Sequence, residues 1–117
     1  MIKKIAYNNN ISGPARINTL TRKLTINPKV WDTLPDTFKK FVLLHEYGHL
    51  QLNTADELQA DNYAFENLQA NDPDNFRENV KIISSMLPFT TKGHFERIKN
   101  SYIKALEPGK NDPDILR

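Results

Sequence analysis

The chain contains no cysteine among its 117 residues, and this absence removes several kinds of chemistry. Disulfide staples, a structural zinc site built from thiolates and a cysteine nucleophile are all excluded. Long apolar runs are also missing: no stretch approaches the roughly 18 apolar residues of a transmembrane helix, and the first residues lack the apolar core of a signal peptide. These absences predict a cytoplasmic protein that does not bind membranes.

An excess of charge of one sign is missing as well. The 16 basic and 14 acidic residues are well mixed and leave a formal charge of +2. No cluster of lysine and arginine provides the basic surface that nucleic-acid binding needs, so we expect no nucleic-acid partner. The length predicts a single domain over residues 1–117, while the oligomeric state is not predicted.

The first 27 residues predict short strands. Leu24 and Ile26 alternate with Thr25 and Asn27, which is the pattern of a half-buried strand. Residues 15–20 and 23–27 are therefore expected to form a hairpin that packs against a helix, and residues 2–7 are a further candidate strand.

Helical patterns dominate the rest of the chain. Pro35 and Asp36 suit the first turn of a helix over residues 35–52. Further helices are expected over residues 55–69, 73–86 and 94–106, followed by a tail at 107–117. Together these elements predict an α+β fold. One apolar stripe of the first helix consists of Phe38, Phe41, Val42, His45, His49 and Leu52. Gly48 costs about 1 kcal/mol of helix stability relative to alanine, which is tolerable if another backbone, such as a sheet strand, comes close.

The segment His45-Glu46-Tyr47-Gly48-His49 indicates metal chemistry. Residues four apart on a helix lie nearly above one another, so the two imidazoles can bind one ion. Glu46 projects beside them, within reach of a water in an open coordination position. This H-E-x-x-H spacing supplies two zinc ligands and a general base.

A catalytic zinc ion needs a third protein ligand, and the sequence leaves several candidates. They are Glu57, Asp61, Asp56 and His94. Glu57 and Asp61 lie four residues apart on an otherwise apolar helix face, where unpaired carboxylates would be costly unless a cation is near. Glu57 has a second interpretation, as the partner of Thr54 in an S/T-x-x-E capping box.

The segment Glu57-Leu58-Gln59-Ala60-Asp61 after the H-E-x-x-H helix resembles the paired motifs of the gluzincin metallopeptidases. Thermolysin, the HtpX type and the small ImmA/IrrE type share this logic, and the likeness covers about residues 24–65. It implies a small zincin-like domain in which Glu57 is the third ligand of Zn²⁺. It also implies that Asp61 accepts a hydrogen bond from a ligand histidine, most simply His45.

A weaker likeness concerns residues 91–98, which resemble the T-H-P-P-x-x-x-R-I segment of HtpX-type enzymes. It implies that His94 or Arg97 stabilises the oxyanion at the attacked carbonyl. The alternative is that His94 is a surface residue at the start of a helix.

These patterns favour a zinc metalloendopeptidase that acts on a peptide or protein substrate. Glu46 would take a proton from the activated water and pass it to the leaving amine. Two alternatives stay open, because little chain is left to build a substrate cleft. One is a metal-binding or interaction module without turnover, and the other is a narrow regulatory protease of the phage or mobile-element type.

Overall fold

Three strands precede the helices. A computed structural model describes residues 1–87 together with residues 97, 99, 100 and 103. The strands are β1 (Lys4–Tyr7), β2 (Ala15–Asn18) and β3 (Lys23–Ile26), and the helices are α1 (Pro28–Trp31), α2 (Asp36–Gln51), α3 (Glu57–Asn71) and α4 (Phe76–Met86), with a 3-10 turn at Pro73–Asn75. The α+β fold is therefore confirmed. No helix of the described segments is long and apolar enough to cross a membrane.

The end of the chain is described in part. Residues 97, 99, 100 and 103 have helical conformation, within the helix expected over 94–106. The remaining residues of that helix, including His94, and the tail at 107–117 lie outside the described residues.

The sheet has the strand order β1-β3-β2. Strands β2 and β3 pair antiparallel, with Ile17 opposite Leu24, as the hairpin prediction requires. Strand β1 pairs parallel with the other side of β3, a placement that the sequence pattern did not specify. Strand β2 is consequently an edge strand, and it contacts α2.

The core lies between α2, α3 and α4. The rings of Phe41 and Phe65 are 5.1 Å apart and join α2 to α3. The buried cluster consists of Phe38, Phe41, Val42, Ala64, Phe65, Leu68, Phe76, Val80, Ile83 and Leu87. The expectation that Leu52 continues the buried stripe of α2 is wrong, because α2 ends at Gln51 and Leu52 is 48% exposed as its C-cap.

Gly48 permits the close approach of α3 to α2. A Cβ atom at Gly48 would lie 3.0 Å from the Cβ of Tyr63, so the neighbour is a helix residue and not the sheet strand that we expected. We predict that Gly48→Ala lowers the free energy of unfolding by about 1 kcal/mol. The clash costs about 1–3 kcal/mol, whereas alanine improves helix propensity by about 1 kcal/mol. Urea denaturation of the metal-free protein measures the difference.

The control for this prediction is the same substitution in a Tyr63→Gly background. There the clashing Cβ is gone, so Gly48→Ala should stabilise the protein by up to about 1 kcal/mol. Equal effects of Gly48→Ala in both backgrounds would show that contact with Tyr63 is not what requires glycine at this position.

Candidate metal centre

Helix α2 presents two histidines on one side, as the four-residue spacing predicts. His45 and His49 are both buried, and their Nε2 atoms are 3.1 Å apart. Their rings meet edge to face, with centroids separated by 4.7 Å. Both Nε2 atoms therefore approach the same point.

Glu57 joins this pair from the first residue of α3. Its Oε2 lies 3.3 Å from Nε2 of His45, and its Oε1 lies 3.0 Å from Nε2 of His49. The Glu57 side chain is 53% exposed, so the point on which the three side chains converge is open to solvent on one side. Among the described residues, His45, His49 and Glu57 form a group that could hold a metal ion.

The capping-box interpretation of Glu57 is wrong. The N-cap of α3 is Asp56, whose carboxylate accepts the N–H of Leu58 at 2.9 Å. The Thr54 hydroxyl accepts the N–H of Asp56 at 3.0 Å, which is a turn in front of the helix. The carboxylate of Glu57 therefore does not cap the helix and contacts the histidines instead, whereas the carboxylate of Asp56 caps α3.

The turn between α2 and α3 orients His49. Asn53 takes a left-handed conformation with φ of 47°, which asparagine tolerates better than most residues. The chain therefore reverses at once, and the carbonyl oxygen of Thr54 lies 2.8 Å from Nδ1 of His49. A carbonyl oxygen can only accept, so Nδ1 carries the proton. In the neutral imidazole the lone pair is then on Nε2, which faces the convergence point.

Asp61 orients His45 in the same way. Its Oδ1 lies 2.6 Å from Nδ1 of His45, and Asp61 is 0% exposed. The buried carboxylate accepts a hydrogen bond from Nδ1–H, so the lone pair of neutral His45 is also on Nε2. This is the hydrogen bond that the gluzincin resemblance implies for Asp61.

The separations between the three donors fit a tetrahedral ion. Neighbouring ligand atoms around an ion with bonds of about 2.0–2.1 Å lie about 3.3–3.4 Å apart. The observed separations of 3.1, 3.3 and 3.0 Å need to open by only a few tenths of an ångström, on the order of the tolerance of metal-site geometry. The site therefore fits a small divalent cation without a rearrangement of either helix.

The charges of the site also favour a divalent cation. Glu46, Glu57 and Asp61 supply three carboxylates, and Arg97 supplies one guanidinium. With neutral imidazoles the group has an uncompensated formal charge of −2. Without an ion, protons on the histidines compensate for part of it. Burial lowers the pKa of His45, but hydrogen bonds to Asp61 and Glu57 outweigh burial and raise it to about 9.

The pKa shifts of the other two groups have the same origin. The hydrogen bond from His49 to Glu57 raises the pKa of His49 against the opposing effect of burial. Hydrogen bonds from His45 and His49 lower the pKa of Glu57. In the metal-free protein at neutral pH, Glu57 is therefore ionised and His45 is protonated.

These shifts predict that the affinity of the site for a divalent cation, measured with zinc, rises with pH. Below a pKa of about 9, His45 is protonated in the metal-free protein, so a metal ion must displace that proton. The affinity should increase by up to about tenfold per pH unit for each proton released, between about pH 6 and pH 8. Competition with a chromophoric chelator measures it, after correction for the protonation of the chelator. An affinity that is constant over this range would contradict the protonated His45.

Glu46 lies beside the three donors but faces a different partner. Its Oε2 accepts the backbone N–H of Ile17 on β2 at 2.9 Å, and its Oε1 is 4.0 Å from Nε2 of His45. Burial raises the pKa of Glu46, while the charges of His45 and His49 oppose the increase. The carboxylate is thus held near the convergence point by the sheet.

A cleft of about 610 Å³ opens onto this group. Strand β2 forms one wall, and the turn between α2 and α3 forms another. The lining includes residues of the metal-donor group and residues that hydrogen-bond to that group or to Glu46: Ile17, Glu46, His49, Thr54 and Glu57. A ligand in the cleft would therefore touch both the donor group and Glu46.

The Ile17 N–H that binds Glu46, the Thr54 carbonyl and Arg97 were not predicted in their observed roles. The Thr54 carbonyl orients His49, and no side-chain pattern marks a backbone oxygen in advance. Arg97 binds Asp61 through two nitrogens, Nε to Oδ2 at 2.7 Å and Nη2 to Oδ1 at 2.8 Å, where we expected it near a substrate oxyanion. His94 lies outside the described residues, so its expected role stays a prediction.

Comparison of the chain with protein-family models, curated proteins and solved structures found no match. The gluzincin resemblance therefore rests on the two motifs of this sequence. What the structure adds is independent of that resemblance: it brings one donor atom each of His45, His49 and Glu57 within 4.8 Å of one another.

Proposed function

We propose that this protein is a zinc-dependent endopeptidase whose metal ligands are His45, His49 and Glu57 and whose general base is Glu46. The observation that carries the proposal is the position of Glu46, in the cleft and beside a group that has three donors among the described residues. A structural zinc site is closed by four protein ligands and needs no base. Three ligands with an adjacent carboxylate are what metal-assisted hydrolysis requires.

Zinc is the metal that we propose, because two imidazoles and one carboxylate are a common donor set of catalytic zinc sites. Bound there, the ion would supply Lewis-acid activation of water and of the peptide carbonyl. The protein supplies the orientation. Both histidines donate from Nδ1, to Asp61 and to Thr54, so both direct Nε2 at the metal position.

Glu46 is the proton carrier of the proposed reaction. Its carboxylate lines the cleft beside the donor group, where it can accept a proton from a water at the metal position. It would take a proton from the attacking water and return it to the leaving amine. The N–H of Ile17 holds one carboxylate oxygen, and the other faces the donor group.

The edge strand β2 in the wall of the cleft favours an extended peptide as the substrate. Strand β2 is at the edge of the sheet, so backbone groups on its outer side have no strand partner in the described part of the chain. An extended peptide can add to such an edge through main-chain hydrogen bonds. A peptide bound along β2 would pass Glu46, because the Ile17 N–H that holds Glu46 belongs to this edge.

The proposal is tested by incubating the zinc-loaded protein with a peptide library and identifying the products by mass spectrometry. We expect cleavage that a chelator abolishes and added zinc restores. The Glu46→Gln variant, prepared in the same way, is the control for contaminating peptidases. Bound zinc without cleavage of any peptide would refute the peptidase and support a metal-binding module.

A further inference from the structure

Arg97 is bound to the buried carboxylate behind the metal position. Its Nε and Nη2 form a fork on both oxygens of Asp61, at 2.7 and 2.8 Å. The Arg97 side chain is only 15% exposed and Asp61 is 0% exposed, so this contact is shielded from water. A bidentate pair of this kind fixes the orientation of the carboxylate as well as its charge.

The same guanidinium also faces the third donor. Nη1 of Arg97 lies 3.7 Å from Oε2 of Glu57. Since Glu57 and Asp61 are one turn apart on α3, a single arginine restrains two carboxylates that differ in role. One would bind the metal, and the other holds His45.

Asp61 depends on Arg97 for its orientation. Its Oδ1 is shared between His45 and Arg97, whereas the hydrogen bond to Oδ2 comes, among the described residues, from Arg97. Without Arg97, Oδ2 would be a buried charged atom without a partner, which is costly. The carboxylate would then gain by rotating toward water, and such a rotation would weaken its contact with His45.

We propose that Arg97 is a positioning residue of the metal centre, which keeps Asp61 on Nδ1 of His45 and restrains the carboxylate of Glu57. The inference rests on the proposed metal site but not on peptide hydrolysis. It replaces the expected oxyanion role, because Nε and Nη2 are engaged by Asp61 and Nη1 faces Glu57.

The test compares Arg97→Met and Arg97→Lys with the control Lys99→Met, which removes an exposed positive charge from the same segment. Zinc affinity is measured by chelator competition. We expect Arg97→Met to lower it by roughly 10–100-fold, as substitutions behind metal ligands do. Arg97→Lys should lose roughly severalfold, because an ammonium cannot form the fork. The control should match the unmodified protein.

A spectroscopic readout separates positioning from general destabilisation. In ¹H–¹⁵N spectra of the unmodified zinc-loaded protein, the Nδ1 proton of His45 should be protected from exchange with solvent. In both Arg97 variants the chemical shift of this proton should change. The corresponding signal of His49, whose partner is the Thr54 carbonyl, should stay in place. If Arg97→Met does not fold, the affinity and the His45 signal of Arg97→Lys decide the question, and unchanged values of both would overturn the inference.

A double-mutant cycle with Asp61→Asn tests the route of the effect. If Arg97 acts through Asp61, Arg97→Met should lower zinc affinity much less in the Asp61→Asn background than in the unmodified protein. Fully additive losses would overturn this route. An unmodified protein that binds zinc but cleaves nothing would refute only the peptidase, whereas one that binds no zinc would refute the metal centre and this inference together.

Discussion

Glu46→Gln is expected to lower the rate of the proposed zinc-dependent peptide hydrolysis by roughly 10²–10⁴-fold, the range by which a general base accelerates a reaction. Zinc should stay bound, because the proposed ligands are unchanged. The fold should also be retained, since the amide oxygen of glutamine can still accept the N–H of Ile17. The rate is measured under single-turnover conditions with a peptide found in the library screen.

The matched control is Glu66→Gln, which makes the same chemical change at an exposed position of α3. Its rate should equal that of the unmodified protein. Full activity of Glu46→Gln with zinc bound would exclude Glu46 as the general base. A loss of zinc in Glu46→Gln would instead assign Glu46 to the metal.

Glu57→Gln is expected to weaken zinc binding by about 100-fold or more. The affinities of four-ligand zinc sites correspond to roughly 10–16 kcal/mol, so one ligand contributes about 3 kcal/mol, or somewhat more than 100-fold. A neutral amide is a poor zinc ligand, and the substitution keeps the shape of the side chain. Because Glu57 is about half exposed and is not the N-cap of α3, the substitution should leave the fold intact.

Chelator competition measures this loss, with Glu66→Gln again as the control. Asp61→Asn provides the comparison within the site: it should weaken zinc binding less than Glu57→Gln, because Asp61 contacts the imidazole of His45 and not the convergence point. A larger loss for Asp61→Asn than for Glu57→Gln would exchange their assigned roles.

The parts of the site that depend on helix periodicity could be predicted from the sequence. His45 and His49 share a face because they lie four residues apart on α2, and Glu57 and Asp61 share a face of α3 for the same reason. The structure brings Glu57 to the two histidines and Asp61 to His45. Metal ligation by Glu57 stays a prediction until an ion is measured there.

The parts that depend on backbone groups or on distant contacts could not be predicted. The Thr54 carbonyl reaches His49 only because Asn53 reverses the chain, and a carbonyl has no sequence signature. The Arg97 fork joins residues 36 positions apart, a separation that no local pattern encodes. The capping prediction failed because Asp56 competes with Thr54 for the N-terminus of α3 and takes it.

The sheet likewise has one pairing that could be predicted from the sequence and one that could not. The β2–β3 hairpin could be predicted because its strands are close in sequence and alternate in polarity. The parallel pairing of β1 with β3 could not, since β1 consists of four residues with weak alternation and its partner lies beyond β2. This placement matters for the proposed function because it leaves β2 at the edge, beside the cleft.

The central claim is that His45, His49 and Glu57 hold a catalytic zinc ion, and a crystal structure of the zinc-loaded protein tests it most directly. We predict one ion per chain, bonded to both Nε2 atoms and to a Glu57 oxygen at about 2.0–2.2 Å, with its fourth position open to the cleft beside Glu46. An ion bound elsewhere, or a fourth protein ligand that closes the site, would contradict the claim.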